Sequence, residues 1–189
     1  MLHFSYDPRK IVTKGHNQMG LYLEELAPGL RIECEIERRV DASMIEAFAT
    51  LAGDHNPLHF DDETARRAGF PGRIAHGVLG LAIATGLLAA SGVTAGTLIA
   101  LVGVEWSFRA PVHIGDTLGL AIEVRSTRRL EGRGRGLVVF ALSVRNQSGE
   151  EVQRGTVTEL VMARSEPPEP LAAAHVAATN ASADGERIR

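Results

Sequence analysis

The apolar residues of this chain follow two rhythms. In RIECEIERRV (31–40), Ile32, Cys34 and Ile36 fall on one side, with Arg31, Glu33, Glu35 and Glu37 on the other. That is the period-two pattern of a half-buried strand. Met44, Ile45, Phe48, Leu51 and Ala52 then recur at helical spacing. Asp41 stands as N-cap, and Gly53 is the residue that stops the helix. DDETARRA (61–68) predicts a short helix with acidic residues in its first turn and Gly69 just past its end. FPGRIAH (70–76) reads as a connecting loop. GVLGLAIATGLLAA (77–90) is apolar on every side, which predicts a buried helix. Alternation then returns. Val102, Val104, Trp106 and Phe108 alternate with Gly103, Glu105, Ser107 and Arg109, and Leu118, Leu120, Ile122 and Val124 repeat the pattern. Residues 137–146 and 152–163 complete the strands, with turn signals HIGDT, EGRGRG and NQSGE between them. Residues 11–30 are Gly-rich and irregular.

A strand, three helices and four hairpin-connected strands make an α+β chain: one antiparallel β-sheet curled around a long buried central α-helix. There is no internal repeat. The expected organisation is an N-terminal extension (1–20), one folded domain (21–164) and a tail (165–189). The tail opens on prolines, has no aromatic residue and is expected to be disordered.

Composition narrows the function classes. The net charge of −3 gives no electrostatic reason to expect nucleic acid or an anionic membrane as partner, and 5% aromatic residues argue against base stacking. Cys34 is the only cysteine, so no intrachain disulfide forms, as suits a reducing compartment. The start, MLHFSYDPRK, lacks a signal-peptide layout, so the expected location is cytoplasmic. Residues 77–104 carry no charge over 28 positions, more than the roughly 20 that a membrane span needs. Six glycines and the break at SGVTAG (91–96) divide that window into a buried helix and a strand.

The densest chemistry is GDHNPLH (53–59). Read as turn chemistry, Gly ends a helix, Asp and Asn favour turns, and Pro57 keeps Asn56 out of helical geometry. Read as a metal site, His55 and His59 are four apart with Asp54, Asp61 and His76 nearby; Pro57 between them breaks the helix that would align them. Read as an acid/base site, Asp54 and His59 hold one water across a rigid Asn-Pro turn. Gly77 would add an N–H free of any intrahelical partner at a helix N-terminus, suited to an oxyanion. The plainer readings are an N-cap glycine at 77 and a satisfied buried histidine at 76.

FATLAGDHNPLHFDDETA (48–65), followed by RIAHGVLG (73–80), resembles the signature of the MaoC-like hydratases and dehydratases, which include the (R)-specific enoyl-CoA hydratases. YLEELAPG (22–29) and FRAPVHIGDTL (108–118) extend the resemblance, which spans about residues 20–163. It implies a single hot-dog fold, a homodimer or higher homo-oligomer, and reversible hydration of a trans-2-enoyl-CoA to the (R)-3-hydroxyacyl-CoA. It implies Asp54 as the base on water, His59 as its partner and the Gly77 N–H on the thioester oxygen. His76, Asn56 and Thr85 are the further candidates for substrate contact. Asn56 is favoured as a turn-fixing residue, and Thr85 matches a hydroxyl position used near the thioester. No metal or redox cofactor is implied, since the CoA thioester is itself the substrate. Acyl-carrier protein is the alternative carrier, and the acidic balance leans towards CoA. Arg73, Arg109 and Arg128 are candidates for the CoA phosphates without assignment, and Glu63, Arg66 and Arg67 read as an exposed face. Two other functions compete. A thioesterase needs a base on the central helix, and residues 77–90 hold no Asp, Glu, His or Asn. A non-catalytic partner subunit would not need both Asp54 and His59.

Overall fold

The computed structural model describes residues 20–132 and 134–164, with the backbone of a strand at 10–13. The expected tail (165–189) and most of the extension lie outside the described residues. The strands are β1 (Lys10–Thr13), β2 (Arg31–Cys34), β3 (Arg38–Arg39), β4 (Leu98–Phe108), β5 (Thr117–Leu130), β6 (Arg135–Arg145) and β7 (Glu151–Met162). The helices are α1 (Ala42–Ala52), α2 (Asp62–Arg67) and α3 (Gly77–Ala90). The sheet runs β1-β2-β5-β6-β7-β4, with β3 also on β5, and wraps α3: the hot-dog architecture that the resemblance implies. Every pairing is antiparallel except β1 with β2, which is parallel.

The helix boundaries follow their capping residues. The Asp41 carboxylate accepts the Met44 N–H, and Gly53 takes the left-handed conformation (φ 73°) that stops α1. Asp61 caps α2 by accepting the Glu63 and Thr64 N–H groups. The inner face of the sheet is built of cross-strand rows. Ile32, Ile122, Leu142, Gly155 and Trp106 form one, and Leu120, Val144, Gln153 and Phe108 the next. Against these rows α3 buries Leu79, Gly80, Ile83, Ala84, Leu87 and Leu88.

Four features differ from the sequence reading. First, residues 11–30 are not wholly irregular, since β1 falls at their start. Second, 31–40 is two strands: between Glu33–Ala121 and Arg38–Leu118, five residue steps stand against three on β5, and Ile36 turns outward. Third, Leu51 is 86% exposed; Ile45 and Ala49 are the α1 residues that enter the core. Fourth, α3 buries one face while Gly77, Val78, Ala82, Gly86 and Ala89 lie open in the single chain. No helix among the described residues is long and apolar enough to cross a membrane.

One buried acid belongs to the scaffold. Glu159, on the inner face of β7 beside Val157 and Val161, is 4% exposed and accepts the Thr94 hydroxyl at 3.1 Å. Burial pushes its carboxyl above the ordinary 4.5, against the pull of that hydrogen bond. Between the unfolded and folded values the native state holds more protons than the unfolded chain, so stability falls as pH rises through that window. Glu159→Gln keeps the acceptor for Thr94 and removes the charge. The variant is expected to withstand more urea than wild type at pH 7.5, with the difference shrinking towards pH 4.5. Equal midpoints at both pH values would mean that Glu159 carries no such penalty.

Candidate active site

The site forms where α1 ends. Past Gly53, Asn56 caps a 3-10 turn over Pro57–His59, its side-chain oxygen accepting the Leu58 N–H at 3.0 Å. Pro57 provides the φ such a turn needs and has no N–H to leave unpaired. The Asn56 N–H donates to the Asp54 carboxylate at 3.3 Å. Asp54 stays exposed while His59, five residues on, is buried.

The hydrogen bonds of the two histidines decide their tautomers. His59 Nδ1 lies 2.9 Å from the Ile74 carbonyl. A carbonyl only accepts, so Nδ1 carries the hydrogen, and in the neutral ring Nε2 presents a lone pair. His76 Nε2 lies 3.0 Å from the Asp54 backbone carbonyl and donates to it for the same reason. His76 Nδ1 is buried without a hydrogen-bond partner. The two rings stack with centroids 3.7 Å apart and planes at 34°, and Phe48 covers His76 at 5.0 Å. His76 therefore ties the backbone of Asp54 to the start of α3, for which it is the N-cap residue.

One ligand atom each from Asp54, His59 and His76 lie within 4.8 Å of one another. A water about 2.8 Å from each of two such groups fits between them. A divalent cation at about 2.1 Å from its ligands would need the three to draw closer. The other residues of the metal reading are elsewhere: His55 is exposed against Phe60, and Asp61 is committed to capping α2.

Gly77 is the first residue of α3, and its N–H has no acceptor within the helix. His76 provides no side-chain cap that would use it. A Cβ at Gly77 would stand 3.0 Å from the Phe108 ring, so any larger residue there would have to push that ring aside. His59, Phe70, Ile74, Gly77, Phe108 and Arg109 line a cavity of about 300 Å³ that opens to the surface. Thr85 sits two turns along α3, where its hydroxyl donates back to the Ala82 carbonyl at 2.9 Å. Among the small residues of α3, Ala84 is buried, and Ala82 and Gly86 face outward. The space at Gly80 is filled by Gln153.

Gln153 was not singled out by sequence reasoning. It is 2% exposed, and its side chain bridges Trp106 and the Gly77 carbonyl. The signal was available. Period-two alternation puts Gln153 and Glu159 on the same face as Val157 and Val161, and a polar residue at a core position calls for an explanation.

A family model described as MaoC like domain matches residues 25–147. The mitochondrial 3-hydroxyacyl-[acyl-carrier-protein] dehydratase of Arabidopsis thaliana is 43% identical over 96 residues, covering 49% of this chain and 55% of that protein. The chain thus spans little more than half of that relative. The (R)-specific enoyl-CoA hydratase of Aeromonas caviae is 33% identical over 96 residues, 51% of this chain and 70% of that one. The crystal structure of a MaoC-like dehydratase from Rhodospirillum rubrum superimposes with a TM-score of 0.68 at 36% identity, covering 78% of this chain and 100% of that one. With its Asp54–His59 turn and its Gly77 helix start inside the matched stretch, the chain belongs to the MaoC-like domain family.

Proposed function

We propose that the protein is a hydratase/dehydratase of acyl thioesters, interconverting a trans-2-enoyl-CoA and the (R)-3-hydroxyacyl-CoA. The observation that carries this reading is the meeting of an exposed carboxylate and a free imidazole lone pair beside a cavity that also holds an unused helix N-terminal N–H. In the hydration direction one water sits between Asp54 and His59. Asp54 takes its proton as the oxygen attacks C3, and His59 Nε2 orients the water and shares in the proton movement. The electrons of the double bond shift towards the thioester, whose oxygen gains enolate character against the Gly77 N–H. The proton taken from water is then passed from the Asp54–His59 pair to C2, which returns Asp54 to its carboxylate form. An N–H in that role is worth about 2.7–4 kcal/mol in well-studied oxyanion holes. His76 serves as a positioning group for Asp54, and Asn56 shapes the turn. Thr85 contacts the thioester only by giving up its bond to Ala82.

We further propose that the working form is a homodimer joined along β4. This strand is the sheet edge, with no partner strand on its outer side among the described residues. Its sequence, LIALVGVEWSF, has one charged residue and no proline, and Leu101, Val102 and Phe108 are each at least half exposed. An edge so long and apolar needs a cover.

The test of the activity is the loss of conjugated enoyl-thioester absorbance from crotonyl-CoA, with the product's configuration read by a stereospecific coupled assay. Longer, branched and carrier-protein-bound enoyl thioesters are run beside it, because the relatives differ in carrier. Turnover to the (R) product is expected with at least one of them. Absence of turnover with all of them would end the hydratase reading and favour a partner-subunit role.

A further inference from the structure

We infer that Gln153 is a positioning residue for the reaction: it clamps the first turn of α3 so that the Gly77 N–H stays aimed into the cavity. The inference rests on the oxyanion role proposed for Gly77. Gln153 Nε2 donates to the Gly77 carbonyl at 3.1 Å, and Trp106 Nε1 donates to Gln153 Oε1 at 2.9 Å. The amide can stand only this way round. An indole N–H only donates and a carbonyl only accepts, so a flipped amide would lose both bonds. With 2% exposure, Gln153 has no water to fall back on.

The surroundings are shaped around this relay. A Cβ at Gly80 would come within 2.2 Å of Gln153 Nε2, so α3 presents a bare backbone face where the amide lies. At Gly155 a Cβ would run into the Glu105 backbone carbonyl and the Trp106 ring, so β7 is bare where the backbone and indole of β4 lie against it. Phe108, opposite Gln153 in the β4–β7 register, roofs Gly77. The need for a clamp follows from the glycine itself. Without a Cβ, Gly77 admits a ligand but has the softest backbone of any residue. At a helix start its N–H has no partner to hold it. Gln153 fixes the carbonyl of the same residue from the sheet side, and Trp106 fixes Gln153.

The test compares wild type, Gln153→Leu and Gln153→Glu. Leu fills the space and makes neither bond. Glu makes both when protonated, its O–H donating to Gly77 and its C=O accepting from Trp106; ionised, it sets a charge against the Gly77 carbonyl. For Gln153→Leu, kcat is expected to fall about 10–100-fold, the range for a misplaced catalytic group, with KM within a few-fold of wild type. For Gln153→Glu, the ratio of its kcat to that of wild type is expected to rise as pH falls, while the Gln153→Leu ratio stays flat. Trp106 is the only tryptophan, so a shift of its emission in either variant reads the broken relay directly. If Gln153→Leu fails to fold, the pH profile and emission of Gln153→Glu carry the test. Wild-type kcat in a folded Gln153→Leu, or a pH-flat Gln153→Glu, would overturn the inference and leave the hydratase reading standing. A wild type inactive on every enoyl thioester would overturn both.

Discussion

Asp54→Asn is expected to lower turnover by about 10²–10⁴-fold while leaving the fold and substrate affinity nearly unchanged. The substitution is almost isosteric, and the contacts that place residue 54 survive it. The backbone carbonyl still accepts from His76 Nε2, and the side-chain oxygen can still accept the Asn56 N–H. What disappears is the ability to take a proton from water. Because Asp54 is exposed, the change leaves no buried group unpaired, so circular dichroism and the thermal midpoint should match wild type. His59 Nε2 remains to hold the water and accounts for any residual rate. The measurement is kcat and KM on whichever enoyl thioester the wild type hydrates. A kcat within tenfold of wild type would remove Asp54 from the mechanism and move the base role to His59.

Much of this arrangement could be read from residues alone, where local chemistry decides the outcome. Asp41, Gly53 and Asp61 mark helix ends because their side chains or backbone freedom satisfy groups that the helix leaves open, and the helices begin and end there. Leu118, Leu120, Ile122 and Val124 enter the core as their alternation requires. The GDHNPLH turn was legible for the same reason: Asn56 and Pro57 act on their immediate neighbours. What could not be read depends on distant partners. The parallel pairing of β1 with β2 joins residues about twenty positions apart and leaves no local mark. The break after Cys34 comes from the register of β5, not from the evenly alternating residues around it. That His76 would spend its Nε2 on the Asp54 carbonyl, and that Gln153 would reach Gly77, required the sheet to be wrapped first. The apolar face of α3 left open in the single chain marks the limit of the local rule. All-round hydrophobicity says that a helix is covered on every side, but not by which chain.

The second large effect concerns that cover. Leu101→Lys combined with Val102→Lys is expected to convert a dimer into a monomer and to cost at least about tenfold in activity. In the single chain both side chains are half exposed or more, at 50% and 53%, so placing Lys there should change the stability of the chain itself little. In a two-fold pairing of β4 with its copy, the new charges would face one another across the joined edge, where like charges repel and exposed lysines are a common guard against strand addition. Light scattering after size exclusion reads the assembly directly: wild type at about twice 20.3 kDa, the double variant at the mass of one chain. Activity should follow assembly because the strand proposed as the interface also supplies a residue beside the candidate site. Phe108, which roofs Gly77, ends the same strand and is 55% exposed in the single chain; Val78, next to Gly77, is equally open. A partner lying on this face would fix the Phe108 ring, shelter the first turn of α3 and exclude water from the thioester. A wild-type monomer with full activity would refute the dimer and leave the apolar edge of β4 to be covered by another partner. A double variant that stays dimeric would place the interface elsewhere on the molecule.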